Sequence, residues 1–356
     1  MSAGLADSRR VTRQVKFGAV PVGGSAPISI QSMTNTRTDD VAATLAQITR
    51  LAGLGCEIVR VAVPNVGAVS ALPEIVAGSP IPVVADVHFD HRLAIGAAEA
   101  GVHALRINPG NIGGAERTAE VVAVAAERAI PIRIGVNAGS LEKDILERDG
   151  HPTAAGLAES AMRGVELMDG LGFADLVVSI KSSHVAMTVE ANRVFASQTD
   201  VPLHIGITEA GTPAAGAARS GVGMGLLLAE GIGDTVRVSL AGPPEEEIPV
   251  ARAILSSLGL RHGGVTVIAC PTCGRTEIDV PGVAAEVEKA LAGAKTSLVV
   301  AVMGCAVNGP GEAREADVGV AGGGTKAVLF RKGEVVAKIN AGELIERLLE
   351  EARKLM

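Results

Sequence analysis

Eight short apolar runs rich in Val and Ile recur between residues 28 and 240, each separated from the next by a longer stretch. They are ISIQSM (28–33), EIVRVAV (57–63), IPVVADVH (81–88), VHALRIN (102–108), IPIRIGVN (130–137), DLVVSIK (175–181), VPLHIGIT (201–208) and TVRVSL (235–240). The segments between them, among them 41–54, 115–129, 155–171 and 244–258, carry helical periodicity. Runs this continuously apolar suit parallel strands buried on both faces. Eight evenly sized strand–helix units predict an α/β fold built on a (β/α)8 barrel of the TIM type, since an open doubly wound sheet rarely needs eight.

The core must be aliphatic, because the chain has 44 Gly and five Phe but no Trp or Tyr. Mean hydropathy is +0.35, yet no uncharged apolar run approaches the roughly 18 residues needed to span a bilayer. The polar, charged start MSAGLADSRRVTRQ has no apolar stretch behind it, so a cytoplasmic protein without membrane attachment is expected. With 32 Lys and Arg against 39 Asp and Glu, the chain lacks the basic excess of a nucleic-acid binder.

The barrel pattern ends near residue 258, and the Gly-containing stretch 259–264 reads as a linker. Beyond it, VTVIA (265–269), a helix at about 281–293, a strand SLVVAVM (297–303), a Gly-rich turn at 322–324, a hairpin over 327–339 and a final helix (342–355) predict a small α/β domain over 265–356.

Barrel chemistry resides where strands end. The strand ends here carry Gln31, Ser32, Asp86, His88, Asn108, Asn137, Ser179, His204, Thr208, Glu209 and Ser239, together with five fixed cations: Arg60, Arg106, Arg133, Lys181 and Arg237. Unpaired cations in Val/Ile-rich runs are costly, so an anionic partner is required. Asp86 and Glu209 could neutralise two, which leaves three for a ligand bearing several negative charges. A diphosphate fits that count better than a monophosphate. His88 and His204 are candidates for binding only.

Four cysteines cannot staple a chain of 356 residues, and their placement points to a metal or redox role instead. Cys270-Pro-Thr-Cys273 is followed by Cys305 in the Gly- and Pro-rich segment GCAVNGPGE (304–312). A lone CxxC fits thioredoxin-like chemistry or structural zinc. The third thiol and the glycines, whose backbone N–H groups can approach sulfur, favour a four-iron cluster with one iron lacking a cysteine. Glu312, seven residues after Cys305, can offer that iron a hard, exchangeable oxygen. Cys56 reads as a small core residue.

Taken with QSMTNTRT (31–38), ADVHFD (85–90), LRINPGNIG (105–113), PIRIGVNAGSLEKD (131–144), GITEAG (206–211), GIGDTVRVSL (231–240), IACPTCGRTE (268–277) and GCAVNGPGE (304–312), the chain resembles the bacterial 4-hydroxy-3-methylbut-2-enyl diphosphate synthases, the IspG or GcpE family. Beyond about residue 315 it offers no such motif. The resemblance implies a barrel plus a [4Fe-4S] domain. It also implies reductive opening and dehydroxylation of 2-C-methyl-D-erythritol 2,4-cyclodiphosphate with two electrons, in the methylerythritol phosphate route to isoprenoids. Flavodoxin or ferredoxin is the implied electron donor. Carried over by motif, Cys270, Cys273, Cys305 and Glu312 correspond to cluster ligands. Arg60, Arg106, Arg133, Lys181 and Arg237, with Asn137 and Ser239, correspond to a diphosphate clamp. Thr208 and Glu209 correspond to a substrate-facing pair, with Glu209 the proton donor. A phosphosugar aldolase or isomerase with a zinc-stapled domain would hold zinc instead. A non-enzymatic iron–sulfur carrier would have no use for five strand-end cations.

A homodimer with shared active sites is also expected. Helix 244–258 should descend to the face opposite the catalytic loops, and six extended linker residues reach only about 20 Å, roughly one helix length. A second chain related by a two-fold axis can supply the other half of each site, and the family resemblance implies the same arrangement.

Overall fold

In the computed structural model, residues 9–261, 263–291, 294, 296–305, 311 and 313–356 are described. They divide into two compact units, Met1–Arg261 and His262–Met356.

The first unit opens with a hairpin, β1 (Gln14–Phe17) and β2 (Val20–Gly23), turning at Gly18 with φ +56°. Eight strands follow: β3 (Ser29–Met33), β4 (Ile58–Ala62), β5 (Val83–Asp86), β6 (Ala104–Ile107), β7 (Ile132–Asn137), β8 (Leu176–Lys181), β9 (His204–Ile205) and β10 (Thr235–Val236). They form one sheet in the order β8-β7-β6-β5-β4-β3-β10-β9, with every pairing parallel. A parallel bridge from Val178 to Leu203, just before β9, joins the two ends, so the sheet closes as a TIM-type barrel.

Helices α1 (Val41–Gly53), α2 (Val66–Gly78), α3 (His91–Glu99), α4 (Gly114–Glu127), α5 (Lys143–Asp149), α6 (Ala154–Gly170), α7 (Val185–Ala196), α8 (Pro213–Ala229) and α9 (Glu247–Ser257) join the strands. Their starts follow from capping chemistry: Asp40, Asn65, Asp90 and Thr153 each accept a backbone N–H of the first turn. Each helix buries one side on the barrel, such as Thr44, Gln47, Ile48 and Leu51 of α1. The sequence pattern missed the hairpin, whose Val15, Phe17 and Val22 pack on Ile58, Val84, Ala104 and Val177 from the strands' early residues. Apolar side chains thus plug the barrel at the end away from the strand termini.

The second unit has a five-stranded sheet, β11 (Gly264–Ala269), β12 (Ser297–Met303), β13 (Val318–Gly323), β14 (Lys326–Arg331) and β15 (Glu334–Asn340), in sequential order. The first three strands are parallel and the last two antiparallel. Helices α10 (Val280–Ala290) and α11 (Leu344–Lys354) cover one face through Val283, Val287, Leu344 and Leu348. Of the segment read as a Gly-rich turn at 322–324, Gly322 and Gly323 end strand β13 and Gly324, with φ +72°, begins the turn into β14. Close packing explains the glycines of this strand: a Cβ on Gly319 would come within 2.5 Å of the Phe330 ring, and one on Gly322 within 2.5 Å of Gly304 O.

Candidate active site

Alternate residues of a barrel strand point inward. On β7 these are Arg133, Gly135 and Asn137. Arg106 on β6 stands in register with Arg133, and Asp86 on β5 with Arg106. Gly135 explains how so many long cations fit. A Cβ there would lie 2.2 Å from Arg106 Nε, so the guanidinium occupies the space a side chain would need. Gly206, after β9, does the same for Lys181, whose Nζ lies 3.1 Å from its missing Cβ position.

Two internal carboxylates face the five cations. Asp86 takes two of them, Arg60 at 3.3 Å and Arg106 at 3.2 Å, and His88 Nε2 lies 3.3 Å from the same carboxylate. Burial alone would raise the Asp86 carboxyl, but Arg60, His88 and Arg106 together hold it well below the usual range. Burial lowers Arg60, to about 10, against the attraction of Asp86.

Arg237 is held by Glu247, through Nε at 3.1 Å and Nη2 at 3.0 Å. Here the structure corrects the sequence-based pairing. Glu209 neutralises no strand-end cation among the described residues, because it stands exposed in the loop after β9 with φ +51°. Glu247, at the start of α9, takes its place. The arithmetic is unchanged: five cations less Asp86 and Glu247 leave three.

The surplus is felt most at Arg133 and Lys181. Arg133 has no exposed surface, and its Nη1 donates to Gln31 Oε1 at 2.8 Å. Its Nε and Nη2, like Gln31 Nε2 and Arg106 Nε, have no hydrogen-bond partner among the described residues. Lys181 has no carboxylate within ion-pair distance among the described residues. Burial first, then Arg133, Arg60, Arg237 and Arg106, push its pKa well below that of an ordinary lysine. His204, expected at a strand end, instead opens β9 and is fully buried. Desolvation and the cations, Lys181 foremost, keep its imidazole neutral.

Above these residues lies a cavity of about 510 Å³ at the strand-end mouth. Its wall includes Arg106, Asn137, Thr208 and Glu209 of the expected set, together with His88. Arg60, Arg133, Lys181, Arg237 and Ser239 are not in its wall. The first four are barrel-interior side chains, and Ser239 is half-buried. Sequence reasoning missed Phe89, Asn111, Ser140, Ser182 and Ser183, which also line the cavity. Their signal was proximity to the strand ends, and Phe89 follows His88 directly. Asn108 braces this rim, accepting from Gly110 N–H and donating to Ser140.

In the second unit, Cys270 follows β11 and Cys305 lies two residues past β12, the parallel neighbour. The Gly304 N–H donates to Cys270 Sγ at 3.1 Å. Cys273 N–H donates to Thr276 Oγ1 at 2.9 Å, and Glu277 N–H donates to Gly304 O, so the two loops are tied together. Soft thiols on adjacent strand ends, one already holding a backbone N–H, are a donor set chemically suited to an iron–sulfur cluster. Among the described residues no three His, Cys, Asp or Glu side chains are gathered as a metal-binding group. Glu312 lies outside the described residues. Cys56 is a core residue whose thiol is pushed up to about 12 by burial.

Residues 12–252 match the GcpE TIM-barrel domain and residues 266–354 the GcpE protein C-terminal domain. The chain belongs to the GcpE family. The match extends well beyond residue 315, where the sequence motifs had given out. Among curated GcpE relatives, the 4-hydroxy-3-methylbut-2-en-1-yl diphosphate synthase (flavodoxin) of Geobacter sulfurreducens is 55% identical over 97% of this chain and 98% of its own. The same-named protein of Aquifex aeolicus is also 55% identical, over 98% and 97%. Among solved structures, 3-dehydroquinate dehydratase from Geobacillus kaustophilus superimposes with a TM-score of 0.52 at 13% identity, covering 70% of this chain and 98% of that one. That likeness concerns the barrel fold alone. Among the described residues no helix is long and apolar enough to cross a membrane.

Proposed function

We infer that this chain is a 4-hydroxy-3-methylbut-2-enyl diphosphate synthase, opening 2-C-methyl-D-erythritol 2,4-cyclodiphosphate reductively and removing a hydroxyl as water. The observation that carries the reading is the barrel interior, where five cations face two carboxylates in a chain 55% identical to relatives of that name. A doubly charged or more highly charged anion is the ligand that relieves such a surplus. Guanidinium forks and a lysine suit its phosphate oxygens. In this reading Arg60, Arg106, Arg133, Lys181 and Arg237, with Asn137 and Ser239, bind the diphosphate. Thr208 and Glu209 face the hydroxyl end, and Glu209 donates the proton with which oxygen leaves as water.

Cys270, Cys273, Cys305 and Glu312 are assigned to a [4Fe-4S] cluster, Glu312 being the displaceable ligand. Bound there, the cluster supplies the two electrons, received from flavodoxin or ferredoxin. The barrel unit is assigned to substrate and the second unit to the cluster, with 259–264 as linker. Three thiols kept reduced suit the cytoplasm. The linker length supports a homodimer with shared sites.

Anaerobic iron and sulfide analysis, followed by turnover with a chemical reductant, tests the reading. About four iron and four sulfide per chain are expected. A colourless protein containing zinc would transfer the case to the aldolase or isomerase reading. Glu312→Gln should retain iron and fold yet lose most turnover, and wild-type turnover would end its assignment as a ligand. Mixing a Cys270→Ser chain with an Arg133→Ala chain, each inactive alone, should restore activity in verified heterodimers. Heterodimers without activity would place each site within one chain.

A further inference from the structure

Glu247 is an unusual residue to find inside a barrel that binds an anion. It opens α9, is 2% exposed, and adds a negative charge beside the cations. Nothing about substrate attraction calls for it. Its contacts point to a different task. Both carboxylate oxygens are spent on Arg237, Oε2 on Nε at 3.1 Å and Oε1 on Nη2 at 3.0 Å. Oε2 also accepts from Ser32 Oγ at 2.9 Å, and Oε1 from the Leu240 N–H at 3.3 Å. The carboxylate is therefore fixed by β3, by the loop after β10 and by its own helix, and it fixes the guanidinium in turn.

This fork uses the Nε–H and one Nη2–H of Arg237 and leaves the outer edge, both Nη1 hydrogens and the second Nη2 hydrogen, for another partner. Nη1 lies 3.7 Å from Met33 Sδ, and the same sulfur accepts from Arg60 Nε and Nη2 at 3.2 and 2.9 Å. A thioether is a weak acceptor. Two guanidinium groups are thus poised on either side of a group that satisfies neither strongly.

We propose that Glu247 is a positioning residue that clamps Arg237 by its inner edge, so that Nη1 is presented beside Arg60 to one phosphate oxygen of the ligand. The inference rests on the diphosphate reading given above. It extends that reading to a side chain on α9 that touches no substrate.

The test measures equilibrium binding of the cyclic diphosphate, KM and kcat on the anaerobic holoenzyme for Glu247→Gln, Arg237→Ala and the double variant. Glutamine keeps the shape but turns one acceptor into a donor facing a guanidinium. Glu247→Gln is expected to weaken binding and raise KM about tenfold or more, the scale of a lost charge-assisted hydrogen bond, with kcat within about threefold. Added to Arg237→Ala, it should change binding by less than about twofold, because its effect passes through the missing guanidinium. Multiplying effects in the double variant would overturn the inference while leaving the diphosphate clamp intact. If Arg237→Ala itself binds normally, the clamp reading fails at Arg237 and takes the inference with it. Should Glu247→Gln not fold, Arg237→Lys decides: it keeps the charge but cannot be gripped at two points. Binding weakened nearly as far as in the alanine variant supports the clamp, and wild-type binding by the lysine variant overturns it.

Discussion

Replacing Arg133 by methionine should stabilise the ligand-free protein and weaken its hold on substrate. The guanidinium is fully buried, has one hydrogen bond, and is surrounded by Arg60, Arg106 and Arg237 with Asp86 already shared between others. Burial first, and then those arginines, push its pKa well down, yet a guanidinium keeps its proton at neutral pH, so the strain stays in the folded state. An uncompensated buried charge costs about 3–5 kcal/mol. Methionine is unbranched and uncharged though two atoms shorter, and it leaves Gln31 Oε1 without its donor, at about 1–3 kcal/mol. The difference is about 2 kcal/mol in favour of the variant, or roughly 4–8 °C in the barrel transition at the 2–4 °C per kcal/mol typical of this size. Substrate binding should lose about 1.5–3 kcal/mol, a factor of roughly 10 to 150. Calorimetry with and without the cyclic diphosphate reads both effects. At a ligand concentration of about one hundred times the wild-type Kd, ligand stabilises wild type by about 2.7 kcal/mol and the variant by only about 0.3–1.4 kcal/mol. A ligand-free variant less stable than wild type, or an equal ligand shift in both, would refute the claim that Arg133 waits for an anion.

Gly135→Ala should push Arg106 off Asp86, since the new Cβ would lie 2.2 Å from Nε. A stability loss of about 1–3 kcal/mol and weaker substrate binding are expected by calorimetry and titration, and a variant unchanged in both would show that Arg106 has room to spare. Lys181 gives a pH signature. Its folded pKa is depressed, so between that value and 10.5 the unfolded chain holds more protons and stability must rise with pH. Lys181→Met should lack this alkaline rise in denaturant titrations, and a persisting rise would assign it to another group.

Periodicity revealed the barrel because eight strands buried on both faces must be written as apolar runs. It was less informative where the interior is polar. VPLHIGIT and TVRVSL keep ladder pairing for only two residues each, His204–Ile205 and Thr235–Val236. At Gly206 the chains crowd so closely that a Cβ would meet Arg237 O at 2.2 Å. The hairpin was legible in principle, from Val15, Phe17, Val20 and Val22 alternating around Gly18, but each arm is only four residues long. The cations were visible as charges inside apolar runs, and so was Asp86, but their second carboxylate partner was not. Glu247 is ten residues from Arg237 across a turn, and Glu209 beside Thr208 looked the nearer acid until its exposed, left-handed backbone set it apart. The cavity rim, Asn111, Ser140 and Ser182, is made of small polar loop residues that no residue-type argument separates from ordinary turns.

A surplus of three cations also bears on catalysis. In a cyclic diphosphate each phosphorus carries one ionisable oxygen, so the substrate brings two negative charges. Breaking the ring at carbon turns one phosphoryl group into a terminal one with a second ionisable oxygen, whose pKa is near 6 for phosphate monoesters, so the opened diphosphate carries close to three at neutral pH. Five cations less Asp86 and Glu247 therefore match the opened chain one charge better than the ring. An interaction stronger after bond cleavage than before it lowers the barrier, whereas one felt equally by both states only tightens binding.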